Sequence, residues 1–289
     1  MTAIPSGLLP GRAASAHKGD FGRIFLLAGS RELSGAAALC ATGALRVGAG
    51  LVTLGLPKSL HAPMVEKLTE AMFKVLPETK EGTLNPQALP EVISTIERMD
   101  AVGIGPGLSQ HPQTKDLIRQ LLSKITKPLV LDADGLNALA EDLGILKQRL
   151  LPMIITPHPG EMGRLIRQSA DDVQRDRERT AVEFAKLYKV IVVLKGHGTV
   201  VASFDGSVYI NETGNPGMAS GGFGDVLTGM IAGLLGQKLS LFDAARLGVY
   251  LHGLAGDLAA KERGEVGLLA SDLLDRIPAA IRQYQTSPV

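Results

Sequence analysis

Short apolar stretches, each followed by a stretch with helical spacing, recur along most of this chain. Several are apolar at nearly every position, as in the sequence IVVL at residues 191–194. Strands of this kind are typical of a parallel sheet that helices cover on both faces. We therefore predict strands at residues 23–28, 51–56, 101–104, 128–131, 153–155 and 190–194, and helices at residues 35–47, 85–97, 111–122 and 171–188.

The last third of the chain departs from this alternation. Two further predicted strands, residues 200–204 and 207–210, flank Asp205-Gly206, a dipeptide typical of a β-hairpin turn. Helical spacing returns at residues 242–260 and 269–283. The pattern predicts a layered α/β fold with a mostly parallel sheet and an antiparallel hairpin toward one edge.

Composition excludes several classes of protein. The net charge of +1 gives no indication of a nucleic-acid partner or of an anionic membrane surface. No apolar run approaches the ~18 residues that span a bilayer, and the N-terminus does not resemble a signal peptide, so we expect a cytoplasmic location. We expect residues 1–16 to form a loose arm and residues 17–289 to form a single domain.

A glycine-rich stretch at residues 211–236 carries the strongest functional signal. From Val226 onward, its apolar residues recur at one-, three- and four-residue steps, the spacing of a buried helix face. Gly221, Gly222 and Gly224 come directly before that face, where a helix leaves its first N–H groups unpaired. These N–H groups and the helix dipole favour an anion such as phosphate, and glycine lets the anion approach the backbone.

Asp225 lies where the glycine-rich loop becomes the predicted helix. A helix cap is one interpretation, since aspartate is a favoured cap residue. A capping carboxylate would, however, compete with a phosphate for the same N–H groups. We therefore favour a general base that takes a proton from a substrate hydroxyl, while the N–H groups stabilise the transferred phosphoryl group.

Four other loops are predicted to lie near Asp225, because parallel sheets bind ligands beyond the carboxyl ends of their strands. Each loop follows a predicted strand and contains glycine, proline or polar residues. The four are GPGL at residues 105–108, DADGLN at residues 132–137, TPHPGE at residues 156–161 and KGHGT at residues 195–199. Together with the glycine-rich stretch they outline one cleft.

Single residues of these loops have competing interpretations. Asp134 is interpreted as a helix cap, whereas for Asp132 a metal or substrate ligand is as good an interpretation as a cap. His158 is interpreted as a donor held at the mouth of the cleft, with an ordinary surface histidine as the alternative. Lys195 is the best candidate for a cationic contact to phosphate or ribose. The other histidines form no i, i+4 pair, so no protein-bound metal is predicted.

From His17 to about Arg282, the chain resembles the ADP/ATP-dependent NAD(P)H-hydrate dehydratases of the ribokinase-like superfamily. TPHPGE and VLKGxxT, in this order and spacing, are the most specific motifs. The others are HKG at residues 17–19, LLAGS at 26–30, SGAAALCATGALRVGAGLV at 34–52, GIGPGL at 103–108, LDADGLNAL at 131–139, TGNPGMASGGFGDVLTGMIAGLL at 213–235 and YLHG at 250–253. The resemblance implies a ribokinase-like three-layer sandwich and an enzyme that restores NADH or NADPH from its hydrate.

The resemblance also implies roles for particular residues. Asp225 would deprotonate the ring hydroxyl of the S epimer, which then attacks the terminal phosphoryl group of ADP, and the N–H groups of Gly222–Gly224 would stabilise the transfer. ADP would become AMP and phosphate. Matching positions in the hydrate site are Ala37, Gly107, His158 and Asp225. Matching positions in the nucleotide site are Lys195, Gly196, His197, Gly198, Thr199 and Gly224.

Cofactor and assembly follow from the same resemblance. Mg²⁺ carried by the nucleotide is expected from phosphoryl-transfer chemistry. Bacterial members typically use ADP and eukaryotic members ATP, and relatives are often tetramers. Many relatives carry an N-terminal epimerase domain, which we do not expect within these 289 residues. Phe223 departs from the small or polar residue usual at its position.

Two other functions remain open at this point. One is a ribokinase-like kinase for a vitamin precursor, in the manner of hydroxyethylthiazole kinase, which needs the same base and N–H groups but a smaller pocket. The other is a nucleotide-binding regulator without catalytic activity, which the presence of Asp225 disfavours.

Overall fold

The computed structural model describes residues 4–5, 7–9, 11–149 and 151–286, and the strands in these segments form one nine-stranded sheet. Its spatial order is β3-β2-β1-β4-β5-β6-β7-β8-β9, parallel from β3 to β7 and antiparallel from β7 to β9. The strands are β1 (Arg23–Leu27), β2 (Leu51–Pro57), β3 (Met72–Leu76), β4 (Ala101–Ile104), β5 (Leu129–Leu131), β6 (Ile154–Ile155), β7 (Ile191–Leu194), β8 (Val200–Ala202) and β9 (Val208–Ile210). The predicted fold class is confirmed.

Helices cover both faces of the sheet. One face packs against α1, α10, α11 and α12, and the other against α3, α4, α5, α7 and α9. The helices are α1 (Ser34–Arg46), α2 (His61–Lys67), α3 (Leu89–Ile96), α4 (Pro112–Leu122), α5 (Ala133–Leu139), α6 (Gly144–Gln148), α7 (Pro159–Ile166), α8 (Ala170–Arg175), α9 (Arg177–Tyr188), α10 (Phe223–Gly236), α11 (Leu241–Arg263) and α12 (Ala270–Thr286).

Strand β1 shows why the parallel strands are apolar at successive positions. Ile24 and Leu26 point into the core beneath α1 and α10, whereas Phe25 and Leu27 point into the opposite core. All four side chains are fully buried, because neither face of the sheet is left to solvent. The result is a three-layer sandwich with two separate cores.

Close packing of α10 on α1 sets the position of the glycine-rich stretch. A β-carbon at Gly229 would lie 1.9 Å from the carbonyl oxygen of Cys40, and one at Gly233 would lie 2.5 Å from a Val47 methyl group. Only glycine permits this approach of the two helices. The first turn of α10 therefore has a fixed position beside the carboxyl ends of the neighbouring strands β4 and β5.

The element predictions did not include helices α2, α6 and α7, and they differ from the structure in two further places. The single helix predicted for residues 171–188 is two helices, α8 and α9, which meet at Asp176. Strand β3 was not predicted. It lies at the edge of the sheet with Met72 and Val75 exposed and Lys74 between them, so its sequence lacks the continuous apolar character of the inner strands.

The N-terminal segment has contacts to the domain. Ile4 is buried, and the Tyr284 hydroxyl donates to the carbonyl of Pro5 at 2.6 Å and accepts from the N–H of Leu8 at 3.1 Å. The loose arm over residues 1–16, like the domain boundaries, stays a prediction. In the part of the chain that the structure describes, no helix is both long and apolar enough to cross a membrane.

Candidate active site

The first turn of α10 leaves its N–H groups free. Gly222 occupies the N-cap position with φ 99°, and no side chain of a described residue caps the helix there. A β-carbon at Gly222 would lie 2.7 Å from a Leu39 methyl carbon, so the site requires glycine for both backbone conformation and space. Asp225 lies three residues after the cap and does not bond to these N–H groups. The capping interpretation of Asp225 is therefore wrong.

Phe223 anchors this turn to the core. Its ring is buried and meets the His252 ring edge-on, with centroids 6.3 Å apart. Its carbonyl accepts a hydrogen bond from His252 Nε2 at 2.9 Å, and burial lowers the pKa of His252 to about 4. His252 is thus neutral with its proton on Nε2. These contacts account for a large apolar residue in the first turn of α10.

A cluster of charged side chains lies against the same turn. Asp132 is 1% exposed, and its two oxygens accept from Lys195 Nζ and from the Thr228 hydroxyl, each at 2.7 Å. Although Asp132 is at the N-cap position of α5, its carboxylate makes no cap hydrogen bond. The cap interpretation of Asp132 is therefore wrong, whereas its role as a metal or substrate ligand stays a prediction.

Lys195 connects β7 to the first turn of α10. Its Nζ lies 3.6 Å from the Glu161 carboxylate, and a β-carbon at Gly224 would be only 3.5 Å from Nζ. Burial acts to lower the pKa of Lys195, but the carboxylates of Asp132 and Glu161 outweigh it and the pKa is raised. The ammonium group therefore stays charged beside the N–H groups of α10, where a phosphate would be neutralised.

Asp225 has the properties of a base that works near neutral pH. Burial and the negative charge of Asp132 raise its pKa from 3.8 to about 7, with Lys195 acting in the opposite direction. A general base is most effective when its pKa is near the working pH. The structure thus gives Asp225 the proton affinity that the proposed catalytic role needs.

His158 begins helix α7. Its Nδ1 accepts from the N–H groups of Gly160 and Glu161 at 3.0 and 3.3 Å, and the Glu161 carboxylate accepts from the His158 N–H at 2.7 Å. The ring is half-exposed, and burial lowers the pKa of His158, so the ring is neutral at pH 7. With Nδ1 as an acceptor, Nε2 carries the proton and lies 3.5 Å from the Glu161 carboxylate, and its role as a donor to a ligand stays a prediction.

Asp134 does not cap a helix, contrary to its interpretation. It lies in the first turn of α5, and its carboxylate accepts from the N–H of Ser109 at 2.8 Å and from Asn137 Nδ2 at 3.2 Å. The carboxylate thereby joins the loop after β4 to the helix after β5.

The loop at residues 195–199 follows β7, with Gly196 and His197 exposed and the other three residues partly buried. Gly196 and Gly198 have φ of 143° and 62°, and the Thr199 hydroxyl donates to the carbonyl of Gly196 at 2.9 Å. The N–H of Lys195 donates to the carbonyl of Pro157 at 2.9 Å, which joins this loop to the one after β6. His197 is exposed at the tip. The loop thus lies at the same edge of the sheet as Asp132 and His158.

Ala37 and Gly107 lie deeper than the other predicted contacts. Ala37 has no exposed surface, and Gly107, with φ 63°, is buried in the loop after β4. A β-carbon at Gly107 would lie 2.7 Å from the carbonyl oxygen of Leu33. Both residues therefore pack where α1 begins, and their contact with a hydrate stays a prediction.

Three residues of the site were not predicted to have a role. Glu161 accepts from the N–H of His158, and Arg177 donates to carbonyls of the loop at residues 195–199. The Thr228 hydroxyl donates to Asp132. Thr228 follows Asp225 by three residues, and this helical spacing places both side chains on one face of α10. That spacing could have indicated Thr228, whereas nothing in the sequence pairs Arg177 with a loop 20 residues away.

Comparison with known proteins decides the family. The model of the NAD(P)H-hydrate dehydratase family matches residues 24–279. The chain belongs to this family. The bifunctional NAD(P)H-hydrate repair enzyme Nnr of Moorella thermoacetica is 49% identical over 277 residues, which are 96% of this chain and 52% of that protein. For the enzyme of the same name from Escherichia coli, the identity is 39% over 275 residues, 95% of this chain and 50% of that protein. The chain thus spans about half the length of these curated relatives.

Solved structures agree. The ADP/ATP-dependent NAD(P)H-hydrate dehydratase from Bacillus subtilis, co-crystallised with ATP/Mg²⁺, gives a TM-score of 0.80 at 34% identity, covering 96% of this chain and 94% of that one. Hydroxyethylthiazole kinase from Pyrococcus horikoshii gives 0.61 at 14% identity, covering 90% and 91%, a likeness of fold alone. The ribokinase-like fold and the predicted family are confirmed.

Proposed function

We propose that this chain removes water from the S epimer of NADH hydrate or NADPH hydrate, with conversion of ADP to AMP and phosphate. The observation that supports this most is the first turn of α10, where Asp225, with a pKa of about 7, lies among uncapped N–H groups beside Lys195. A base, a row of donors and a cation are the groups that phosphoryl transfer to a hydroxyl requires.

The nucleotide is proposed to bind across the loop at residues 195–199 and the start of α10. The backbone at Gly196–Thr199 would hold the nucleoside part, and Lys195 with the N–H groups of Gly222–Gly224 would hold the terminal phosphates. The hydrate is proposed to lie on the other side of Asp225, contacted by His158 and bounded by Ala37 and Gly107. Its ring hydroxyl would then lie between the base and the terminal phosphorus.

The proposed chemistry has two stages. Asp225 takes the proton of the ring hydroxyl, the hydroxyl oxygen bonds to the terminal phosphorus of ADP, and the bond from that phosphorus to AMP breaks. The carbon–oxygen bond of the new ester then breaks with both electrons going to phosphate, the neighbouring ring carbon loses a proton, and the ring double bond re-forms. The second stage is easy because phosphate is a better leaving group than hydroxide. The sum is hydrate plus ADP giving NAD(P)H, AMP and phosphate.

Magnesium is proposed to enter with the nucleotide. Among the described residues, no group of three histidine, cysteine, aspartate or glutamate side chains could hold a resident ion, and Lys195 and Thr228 occupy both oxygens of Asp132. The side chains thus fit an ion held chiefly by phosphate oxygens, which would supply charge neutralisation at the transferred group. The Bacillus subtilis dehydratase was co-crystallised with ATP/Mg²⁺, which supports this proposal.

A homotetramer in the cytoplasm completes the proposal. Sedimentation analysis of the purified protein would test the tetramer, which a monomeric mass of 30.4 kDa at micromolar concentration would contradict.

The direct test mixes purified protein with NADH hydrate, Mg²⁺ and ADP or ATP, and follows absorbance at the reduced-nicotinamide band. A nucleotide-dependent rise in absorbance, lost in Asp225→Asn, is the expected result, and the faster nucleotide identifies the phosphoryl donor. With folded protein and confirmed S epimer, no rise with either nucleotide would contradict the proposal. Formation of a stable phosphate ester from a thiazole or pyrimidine alcohol would then indicate the vitamin-precursor kinase.

A further inference from the structure

The loop at residues 195–199 is wrapped around the guanidinium group of Arg177. Nη1 donates to the carbonyl of His197 at 2.5 Å, and Nη2 donates to the carbonyls of Gly198 at 2.6 Å and Leu194 at 3.4 Å. The guanidinium carbon also lies 3.2 Å from the position that a β-carbon at Gly196 would take. One planar group thus fixes three carbonyls across the whole turn.

These contacts set the direction of the loop's donors. With the carbonyls turned toward Arg177, the N–H groups of Gly196, His197 and Gly198 donate to no other residue in the described part of the chain. Unpaired N–H groups can donate hydrogen bonds to the oxygen and nitrogen acceptors of a nucleotide. Only an arginine can donate in several directions within one plane, since lysine carries a single compact ammonium group.

The break between α8 and α9 brings Arg177 to this position. Asp176 ends α8, and its side chain accepts from the N–H of Arg179 at 3.1 Å to start α9, of which Arg177 is the first residue. Its neighbours on either side behave differently. Arg175 and Arg179 are exposed and pair with carboxylates of their own helices. Arg177 alone of the three turns toward the sheet edge and is half-buried.

We infer that Arg177 is the positioning residue of the nucleotide site, holding the loop at residues 195–199 with its N–H groups directed at the bound nucleotide. It acts through the loop and touches no reacting atom. This inference rests on the nucleotide site of the proposed function. Without the guanidinium group, the loop would sample several conformations, and the apparent affinity for ADP would fall in proportion to the population that is competent to bind.

The test compares Arg177→Gln and Arg177→Lys with Arg179→Gln, a matched change two residues away on the same helix. Titration calorimetry measures the Kd of ADP with Mg²⁺, which does not depend on catalysis. We expect a Kd about tenfold or more higher for Arg177→Gln, a smaller increase for Arg177→Lys, and no change for Arg179→Gln. Hydrogen exchange should become faster in Arg177→Gln at the N–H groups of Lys195 and Asn211, which bond to the carbonyls of Pro157 and Thr199, and stay unchanged within α10.

A merely structural role would give a different result. Steady-state assays should show a raised KM for ADP with an unchanged KM for hydrate, whereas general destabilisation would raise both and lower the Tm well below that of Arg179→Gln. An ADP Kd within twofold of the wild-type value, or wild-type protein that binds neither ADP nor ATP, would overturn the inference. Wild-type protein that binds ADP without restoring NADH would overturn only the proposed function.

Discussion

The two parts of the candidate site are held in different ways. The first turn of α10 is fixed by packing: Gly222 lies against Leu39 of α1, and Phe223 is buried against His252. The loop at residues 195–199 is partly exposed, and polar contacts from Arg177 and Thr199 hold its shape. The part that would perform proton and phosphoryl transfer is therefore the rigid one, and the part that would bind the nucleoside is the adaptable one.

Asp132 joins these two parts. It accepts from Thr228 on α10 and from Lys195 at the start of the loop, and its charge helps to raise the pKa of Asp225. A nucleotide that displaces or neutralises Lys195 would thus change the pKa of Asp225. The difference between the two parts, and the link between them, can be tested by substitution.

The largest effect is expected on the rigid side, at Asp225. Asp225→Asn removes the base without changing the shape of the turn, so kcat should fall by about 10²–10⁴-fold. The Kd of ADP should stay within twofold, because the N–H groups and Lys195 remain. Stopped-flow absorbance and calorimetry measure the two quantities. A matching loss of ADP affinity would contradict the separation of base and nucleotide site.

The same variant has an expected effect on stability. Since burial raises the pKa of Asp225 from 3.8 to about 7, ionised Asp225 destabilises the folded state, and this cost grows as pH rises from about 4 to about 7. Asp225→Asn should therefore have a higher Tm than the wild type at pH 8, and the difference should shrink toward pH 4. An equal difference at both pH values would argue against the raised pKa.

The next largest effect is expected at the link. Asp132→Asn leaves Lys195 without its closest carboxylate in a largely buried position, which should lower the free energy of unfolding by about 3 kcal/mol. Urea denaturation measures this loss, and Asp142→Asn, an exposed aspartate, is the control. Asp132→Asn should also lower the pKa of Asp225, since a raising charge is removed. An unchanged unfolding free energy would contradict the link.

The pH dependence of the wild type follows from the same base. Only ionised Asp225 accepts a proton, so kcat/KM for hydrate should rise about tenfold per pH unit below pH 7 and level off above it. In Asp132→Asn the midpoint should move to lower pH. A wild-type profile already flat at pH 5 would mean that Asp225 ionises at its usual value and that burial does not tune it.

A last pair of variants, which includes the smallest expected effect, separates packing from backbone strain. Gly222 and Gly198 both have positive φ, 99° and 62°, but a β-carbon would lie 2.7 Å from its nearest neighbour at Gly222 and 3.7 Å at Gly198. Gly222→Ala should therefore lower the free energy of unfolding by about 2–4 kcal/mol through strain and overpacking, and Gly198→Ala by about 1 kcal/mol through strain alone. Thermal unfolding compares them. Equal losses would show that packing does not distinguish the two parts.

The sequence predicted the frame of the molecule well. Strands such as β4 and β7 are buried on both faces, so the sequence identifies them as continuous apolar runs. The ends of these runs in turn gave the positions of the loops that follow the strands. Asp225 was identified because a glycine-rich helix start indicates an anion site, and an acid next to it indicates a base. The family motifs covered the same residues.

The missing parts depend on tertiary contacts. Helix α7 was predicted to be a loop because proline and glycine, here Pro159 and Gly160, usually interrupt helices. Proline is nevertheless favoured in the first turn of a helix, and His158 provides the cap here. Asp132 has no sequence neighbour that reveals Lys195 or Thr228 as its partners, which lie 63 and 96 residues away. The partner of a buried charge is decided by the fold.

The most direct test of the central claim follows one oxygen atom. NADH hydrate prepared in ¹⁸O-water carries the label in its ring hydroxyl, and ³¹P NMR after reaction with ADP shows where the label goes. If the hydroxyl oxygen attacks phosphorus and leaves with it, one ¹⁸O should appear in each inorganic phosphate released, with one AMP formed per NADH restored. Label found only in water, with NADH restored at the same rate, would contradict phosphoryl transfer to the hydrate and the role of Asp225 as its base.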